Sequence, residues 1–359
     1  MPVAGRGVVL GVAEQPVAKR NSKRCKERFE MSGWESTSRH GATVAWAAAP
    51  EESTLPAFGD RQPAMRCSRL EMALRPISPQ EFRRFQALIY RESGIWLSDA
   101  KTALLTGRLS KRLRWHGLNR FSAYYDRVIA DPEERQIMLE AISTNETHFF
   151  REPTHFQFLE QSLFPYWTAA AAAGKRPRTI RTWSAGCSTG QEAYSLAMVL
   201  VTHFPAAQGW SLDILATDIS RRVLTIAEQG VWDEAKAAEI PARYLRNFVL
   251  KGLGENRGKI KAAPSIRVVR FMQLNLNDTV YPAIGKFDLI FCRNVLIYFD
   301  MESRRRVVAR LVSHLASDGY LFVGHAESLN SACASLLCVM PTVYSLSRNG
   351  TKADHAVHL

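Results

Sequence analysis

From Ile77 onward, apolar residues recur at helical spacing: Phe82, Phe85, Leu88 and Ile89 follow a Ser78-Pro79 start. Ser78 is an N-cap candidate, with Pro79 at the first helical position and Glu81 at the third. After a turn at Ile95–Ser98, Leu105, Leu109 and Leu113 line one arc of a second helix. Lys101, Arg108 and Arg112 fall within about 40° of one another on a neighbouring arc, given the 3.6-residue period. The pattern predicts two further helices, Phe121–Ala130 and Glu133–Ser143. Together these four form an all-helical domain over 72–144.

Past residue 179 the rhythm changes to strand, helix, strand. Thr179–Ser184 leads through a glycine-containing turn into an apolar helix ending near Val201. Leu212–Ala216 reads as a buried strand closed by Thr217-Asp218, and Ser220 caps a helix that Gly230 ends. Phe287–Cys292, Tyr320–Val323 and Val343–Leu346 supply more strands, with an amphipathic helix at Arg304–Leu315. Alternation of this kind predicts a doubly wound α/β sheet over 145–348. Residues 240–272 interrupt it with a glycine-rich turn (Gly252, Gly254, Gly258), which predicts a small antiparallel β insert.

Neither period holds in residues 1–71, so this extension is expected to be disordered, as is the tail 349–359. Met72 reads as the start of the working protein. The 359 residues are 46% hydrophobic, enough for two ordinary domains. Neither a secretory pattern nor a membrane-length apolar run is present, the longest small-apolar stretch being Ala169–Ala173. Six cysteines without CxxC spacing read as free thiols rather than a disulfide or metal framework, and no metal is expected. The formal net charge of +13 fits either nucleic acid or an acidic protein partner.

In open α/β sheets, ligands bind beyond the carboxyl ends of the strands. Four segments place polar or small residues there. The first is the turn Trp183–Glu192, where Gly186 and Gly190 permit close backbone approach. Asp218 closes the next strand and can accept from a ribose diol, although the fingerprint is not that of a dinucleotide site. Asn275-Leu276 and the pair Arg293-Asn294 complete the set. Polar side chains inside an apolar run need partners, which favours a site role for Arg293 and Asn294 over a purely structural network. Upstream, Ser143–Arg151 is a dense polar cluster between the two predicted domains.

In order, TNETHFFRE (144–152), WSAGCSTGQEAYS (183–195), ATDIS (216–220), LNL (274–276), FCRNVLIYF (291–299) and GHAESL (324–329) closely resemble the CheR family of chemoreceptor glutamate methyltransferases. The resemblance runs from about Ile77 to Leu346. It implies a Rossmann-like class I methyltransferase sheet and S-adenosyl-L-methionine as cofactor. Methyl would pass to glutamate side-chain carboxylates on chemotaxis receptors, in the cytoplasm, at membrane receptor arrays. By similarity, Asn145, Thr147 and Arg151 border the cofactor from the linker. Glu192 lies near its methionine end, Asp218 on the ribose, Asn275 and Leu276 beside the adenine. Arg293 and Asn294 complete the pocket. Arg151 and Tyr298 stand nearest the transferred methyl and are the catalytic candidates. Gln191-Glu192-Ala193 departs from the family's more usual Glu-Glu-Pro, keeping the second acid.

The resemblance also assigns receptor recognition to the helical domain, with Arg108, Arg112 and Arg114 as contacts for acidic receptor helices. The loop carrying Gly252, Gly254 and Gly258 is similar to one that docks a receptor's C-terminal peptide. Two alternatives remain: a related methyltransferase acting on RNA or another substrate, and a catalytically silent cofactor-binding adaptor. The aromatic arrays expected of a single-stranded nucleic-acid site are not apparent, so no nucleic-acid partner is expected.

Overall fold

The computed structural model describes residues 33–36, 73–329 and 335–347. The first element is a short strand, β1 (Trp34–Ser36), inside the segment expected to be disordered. The expectation is corrected there; the remainder of 1–72 and the tail 348–359 lie outside the described residues.

Four helices follow: α1 (Pro79–Ser93), α2 (Thr102–Trp115), α3 (Phe121–Ala130) and α4 (Pro132–Ile142). The start of α1 is the expected capping box. Glu81 N–H donates to Ser78 Oγ at 3.2 Å and Ser78 N–H donates back to Glu81 Oε2 at 2.9 Å, so two otherwise unpaired donors are satisfied. Phe82, Phe85, Leu88, Leu105, Leu109 and Leu113 are buried in one core, as their spacing requires. Gly94 ends α1 at φ 72°, and a Cβ there would sit 2.8 Å from both Asn277 Oδ1 and the Phe299 ring. That glycine is where the helical domain touches the α/β domain closely enough to exclude a side chain.

The linker then runs into α5 (Pro153–Phe158), a π turn at Leu159–Leu163 and α6 (Phe164–Ala172). These were not anticipated; the Ala169–Ala173 run is largely the end of α6, whose apolar anchors Phe164 and Trp167 sit upstream of it. The α/β domain continues with β2 (Thr179–Ala185), α7 (Gln191–His203), β3 (Ser211–Asp218) and α8 (Arg221–Gln229). Next come β4 (Val231–Asp233), α9 (Ala242–Phe248), β5 (Val249–Gly252), β6 (Lys259–Ala262) and β7 (Val269–Gln273). The chain closes with β8 (Phe287–Cys292), α10 (Met301–Ser313), β9 (Leu315–Val323), β10 (Leu336–Met340) and β11 (Val343–Leu346).

Seven strands form one sheet in the order β10-β11-β9-β8-β2-β3-β7. The five from β9 to β7 are parallel; β11 joins β9, and β10 joins β11, antiparallel. The first parallel strand, β2, has β3 on one side and β8 on the other, so the winding reverses at β2/β8. A doubly wound sheet opens its ligand crevice at such a reversal.

The insert differs from expectation in composition. Its sheet is β1-β5-β6-β4, all antiparallel, so it takes in Val231–Asp233 and recruits β1 from far upstream. Conversely, β7, placed in the insert by its short alternating pattern, is the edge of the large sheet. An edge strand covered on one face alternates in the same way as a hairpin strand, so the pattern alone could not separate the two. Among the described residues, no helix is long and apolar enough to cross a membrane.

Candidate functional site

A single pocket gathers the predicted site. It is lined from the linker by Asn145, Thr147 and Arg151, from the ends of β2 and β3 by Gly186, Ser188, Glu192 and Asp218, and by Asn275 and Leu276 after β7. Arg293, Asn294 and Tyr298 line it from the end of β8. Its remaining wall comes from the helical domain: Ile95, Leu97, Lys101, Leu104 and Ile142. The sequence reading had not placed the helical domain on the pocket, because apolar residues of a bundle carry no mark of facing a ligand rather than a core.

The turn after β2 is held by paired backbone bonds. Gly186 and Cys187 N–H both donate to Thr217 C=O, at 2.8 and 2.9 Å. Gly186 has φ 84°, and a Cβ there would lie 2.4 Å from Val295 Cγ2. Glycine therefore lets the β2 and β8 turns meet at the floor of the pocket.

Asp218 is buried, and its carboxylate is already committed on both oxygens: Oδ2 accepts from Ser188 N–H at 2.9 Å and Oδ1 from Ser220 N–H at 3.0 Å. Burial pushes its pKa up, and the bonds from the Ser220 and Ser188 amides only partly oppose this. Ser220 does cap α8, accepting from Val223 N–H at 3.4 Å. Asp218 thus organises the turn as well as facing the pocket, and each oxygen keeps a lone pair for a further donor.

Arg293 lines the pocket, as expected, from a buried position. Its side chain is 1% exposed and pairs with Glu192, Nε donating to Oε2 at 2.7 Å. One Nη1 donates to the Arg151 carbonyl at 2.5 Å and lies 3.3 Å from His155 Nδ1. Ser184 Oγ donates to the other Glu192 oxygen at 2.6 Å. The Arg293 guanidinium and Glu192 carboxylate are therefore spent on a buried network that fixes the linker against β2 and β8. The Arg293 side chain thus belongs to a buried network as well as to the pocket wall.

His155, at 0% exposure, belongs to the same network. Burial, and then the neighbouring Arg293 charge, hold its pKa down at about 3. Its Nδ1 faces the Arg293 donor, so Nε2 carries the proton and donates to Thr342 Oγ1 at 2.8 Å.

Asn294 adopts φ 58° and its N–H donates to Glu327 Oε2 at 2.7 Å. Its side-chain Oδ1 is buried with no hydrogen-bond partner among the described residues. Glu327, wholly buried, also accepts from Gly324 N–H at 2.6 Å and Ile297 N–H at 3.0 Å, and so ties the turn carrying Asn294 and Tyr298. Glu327 was seen in the sequence only as part of GHAESL; an acid just past an apolar strand and beside a glycine was the available signal. Asn275 spends its side chain on backbone: Nδ2 donates to Glu92 C=O at 2.6 Å and Oδ1 accepts from Asn277 N–H at 2.9 Å. Leu276 offers apolar surface and is 7% exposed. Arg151 is half-buried, its Nη1 reaching only the Glu146 carbonyl, at 3.2 Å.

Two residues of the basic arc on α2 have partners within the helical domain. Arg108 Nη1 donates to the carbonyls of Ala141 and Ser143 at 3.0 and 2.9 Å, which closes the end of α4. Arg112 makes a two-bond pair with the buried Glu134, at 2.9 and 2.5 Å, while Tyr124 also donates to that acid at 2.7 Å. Burial would raise the Glu134 pKa, but the bonds from Arg112, Tyr124 and His116 outweigh it and hold it below the usual carboxylate range. Helical spacing put Arg108 and Arg112 on one arc but could not show that α4 packs against it. Arg114 remains exposed, as does Lys111.

Gly252, Gly254 and Gly258 surround the β5–β6 turn of the insert, away from the pocket. The residues lining the pocket suit a ligand with a diol and an apolar part: Asp218 to accept, Asn294 as a further polar side chain, and Leu276, Ile95 and Leu97 as apolar wall.

Comparison with known proteins agrees with that fit. The family described as "CheR methyltransferase, SAM binding domain" matches residues 145–344, and "CheR methyltransferase, all-alpha domain" matches 80–143. "Chemotaxis protein methyltransferase 2" of Pseudomonas aeruginosa is 37% identical over 267 residues, covering 74% of this chain and 92% of the relative. The Borreliella burgdorferi chemotaxis protein methyltransferase is 36% identical over 271 residues, 75% of this chain and 94% of the relative. That of Escherichia coli is 35% identical over 277 residues, 76% and 93% respectively.

Proposed function

This chain belongs to the CheR methyltransferase family, and from that premise we propose that it methylates glutamate side chains on chemotaxis receptors. The observation that carries the reading is the pocket itself. It unites Asp218, the unpaired Asn294 Oδ1 and the half-buried Arg151 in a cleft that the helical domain closes.

S-adenosyl-L-methionine, when bound, supplies an electrophilic methyl on a sulfonium. Asp218 would receive the ribose hydroxyls and Asn294 Oδ1 a donor of the ligand, with Leu276 against the base. Asn145 and Thr147 border the ligand from the linker. Glu192 and Arg293 support this arrangement from behind, by fixing the backbone of Arg151. A glutamate carboxylate, with pKa near ~4.3, is ionised at neutral pH, so the site needs no general base. It needs alignment, and ordering two reactants can supply up to about 7–11 kcal/mol of a barrier. The Arg151 guanidinium is placed to hold that carboxylate through a fork of donors, and Tyr298 to limit its approach. Apolar side chains of the helical domain keep water from the nucleophile.

Receptor helices would meet the exposed Arg114 and Lys111 on α2, whose opposite end carries the pocket residue Leu104, in the cytoplasm at receptor arrays. A receptor's terminal peptide would add as a strand to the insert. In a labelled-methyl assay, Arg151→Ala should slow transfer by about 10²-fold, while retained affinity for S-adenosylhomocysteine separates orientation from binding. Arg114→Glu should slow transfer severalfold at low salt only; equal rates for that variant and the native chain would remove the steering role.

A further inference from the structure

The four-stranded sheet is completed by a strand that the insert does not itself contain. Trp34, Glu35 and Ser36 lie opposite Gly252, Lys251 and Leu250. Leu253 N–H donates to the Gly33 carbonyl at 2.7 Å. In an antiparallel ladder, bonded and non-bonded pairs alternate, so Gly33/Leu253 and Glu35/Lys251 exchange backbone bonds while Trp34/Gly252 is a non-bonded pair. Side chains come closest at such a pair, and the glycine sets no side chain against Trp34.

The indole covers a small apolar cluster, while the space beside Gly252 belongs to the Asn256 backbone. Trp34 is 7% exposed and packs on Leu250, Ala263 and Val231, with Lys261 Nζ 5.4 Å from its ring centroid. Gly252 cannot be other than glycine here, because a Cβ would lie 1.9 Å from the Asn256 carbonyl oxygen. Gly33 has φ 94°, which also favours glycine just before the tryptophan. The edge of β5 therefore accepts a particular short strand, a glycine followed by an aromatic anchor, and otherwise reads only backbone. Without an occupant, it would leave the amides of Lys251 and Leu253 unpaired and this small apolar cluster uncovered.

We propose that Gly33–Ser36 is an intrachain strap on this edge, which an incoming extended peptide bearing an aromatic anchor must displace. The inference rests on the reading of the insert as a strand-addition site. The connection to the helical domain, residues 37–72, can extend by about 3.3–3.6 Å per residue, so the strap can leave without moving α1. A tethered competitor acts at an effective concentration on the order of mM, and it lowers the apparent affinity of an outside peptide by the factor of the open fraction. Release of the strap would thus set whether a receptor tail can hold the enzyme.

The test uses the full chain and a fluorescein-labelled synthetic peptide reproducing residues 31–38, read by anisotropy. Trp34→Ala should bind it at least about tenfold more tightly than the native chain, and Lys251→Pro should abolish binding to both. Amide exchange at Lys251 and Leu253 should be slow in the native chain and fast in Trp34→Ala, with protection in β2, β3 and β8 unchanged, showing that the variant is folded. Equal affinity of the native and Trp34→Ala chains would overturn the strap and leave strand addition standing. Absence of binding to folded Trp34→Ala would overturn strand addition, and the strap with it. A native chain whose mass doubles with concentration, together with its Lys251 protection, would show the strand coming from a second copy and overturn the intrachain assignment.

Discussion

The large and the small sheet are completed in opposite ways. At the carboxyl ends of β2 and β8, position is fixed by buried charges: Arg293 bridges Glu192 and the Arg151 carbonyl, and Glu327 gathers three backbone amides. At the edge of the small sheet, a few backbone bonds and one indole hold a strand that reaches back across the sequence. The first arrangement is costly to disturb and therefore rigid, as a site for in-line transfer requires. The second is cheap to exchange, as the proposed docking of a peptide on this edge would require.

The sharpest contrast comes from the buried pair. Glu192→Ala leaves the Arg293 guanidinium, 1% exposed, with only the more distant Glu152 carboxylate at 3.7 Å, and should cost about 3 kcal/mol in denaturant unfolding. Replacing both, as Glu192→Leu with Arg293→Met, should recover a large part of that loss. Additive losses in the double variant would show that the two residues do not act as a pair.

His155 offers a pH test of the same network. Its folded pKa, held down at about 3, lies below the ordinary histidine value of about 6.5. The unfolded chain therefore gains a proton first as the pH falls. The stability contribution is complete above about pH 6.5 and is lost progressively from there toward pH 3. His155→Gln should flatten the stability profile in that window, and an unchanged profile would place the acid sensitivity elsewhere.

Asp218→Ala should weaken S-adenosylmethionine binding by roughly 1–3 kcal/mol in calorimetry, since the ribose acceptor and the anchor of Ser188 are lost together. Asp218→Asn separates the two, because its amide keeps one acceptor oxygen for the turn or the ligand, not both. Native affinity in Asp218→Ala would remove the ribose role. The smallest effect belongs to the small sheet. Trp34→Ala should lower the stability of the whole chain by only about 1.4 kcal/mol, the tenfold of the peptide test converted, because the edge can open by itself. A loss as large as that of Glu192→Ala would make the strap part of the core and dissolve the comparison.

The same contrast separates what was legible in the sequence from what was not. Helices with a clear period and cap, such as the one opened by Ser78 and Glu81, appear where their residues place them. So do the apolar strand Phe287–Cys292 and the site residues that line the pocket, since short motifs at strand ends carry their own address. Tertiary partners carry none. Nothing local to Arg108 or Arg112 marks α4 and Glu134 as their partners, and nothing near Arg293 names Glu192 as its counter-ion. Three residues, Trp34–Ser36, are too few to show a period, and their partner strand begins at Val249. The edge strand β7 had the alternation of a hairpin because one half-covered strand looks like another.

The central claim is chemical: a carboxylate on a chemotaxis receptor receives the methyl. Purified protein, S-adenosylmethionine labelled in the methyl group and membranes containing the receptor test it in one assay. The account predicts label on the receptor that mild base releases as volatile methanol, as a carboxyl ester must, and that Arg151→Ala diminishes. Label that withstands base, or that appears on RNA added to the same reaction and not on the receptor, would contradict it.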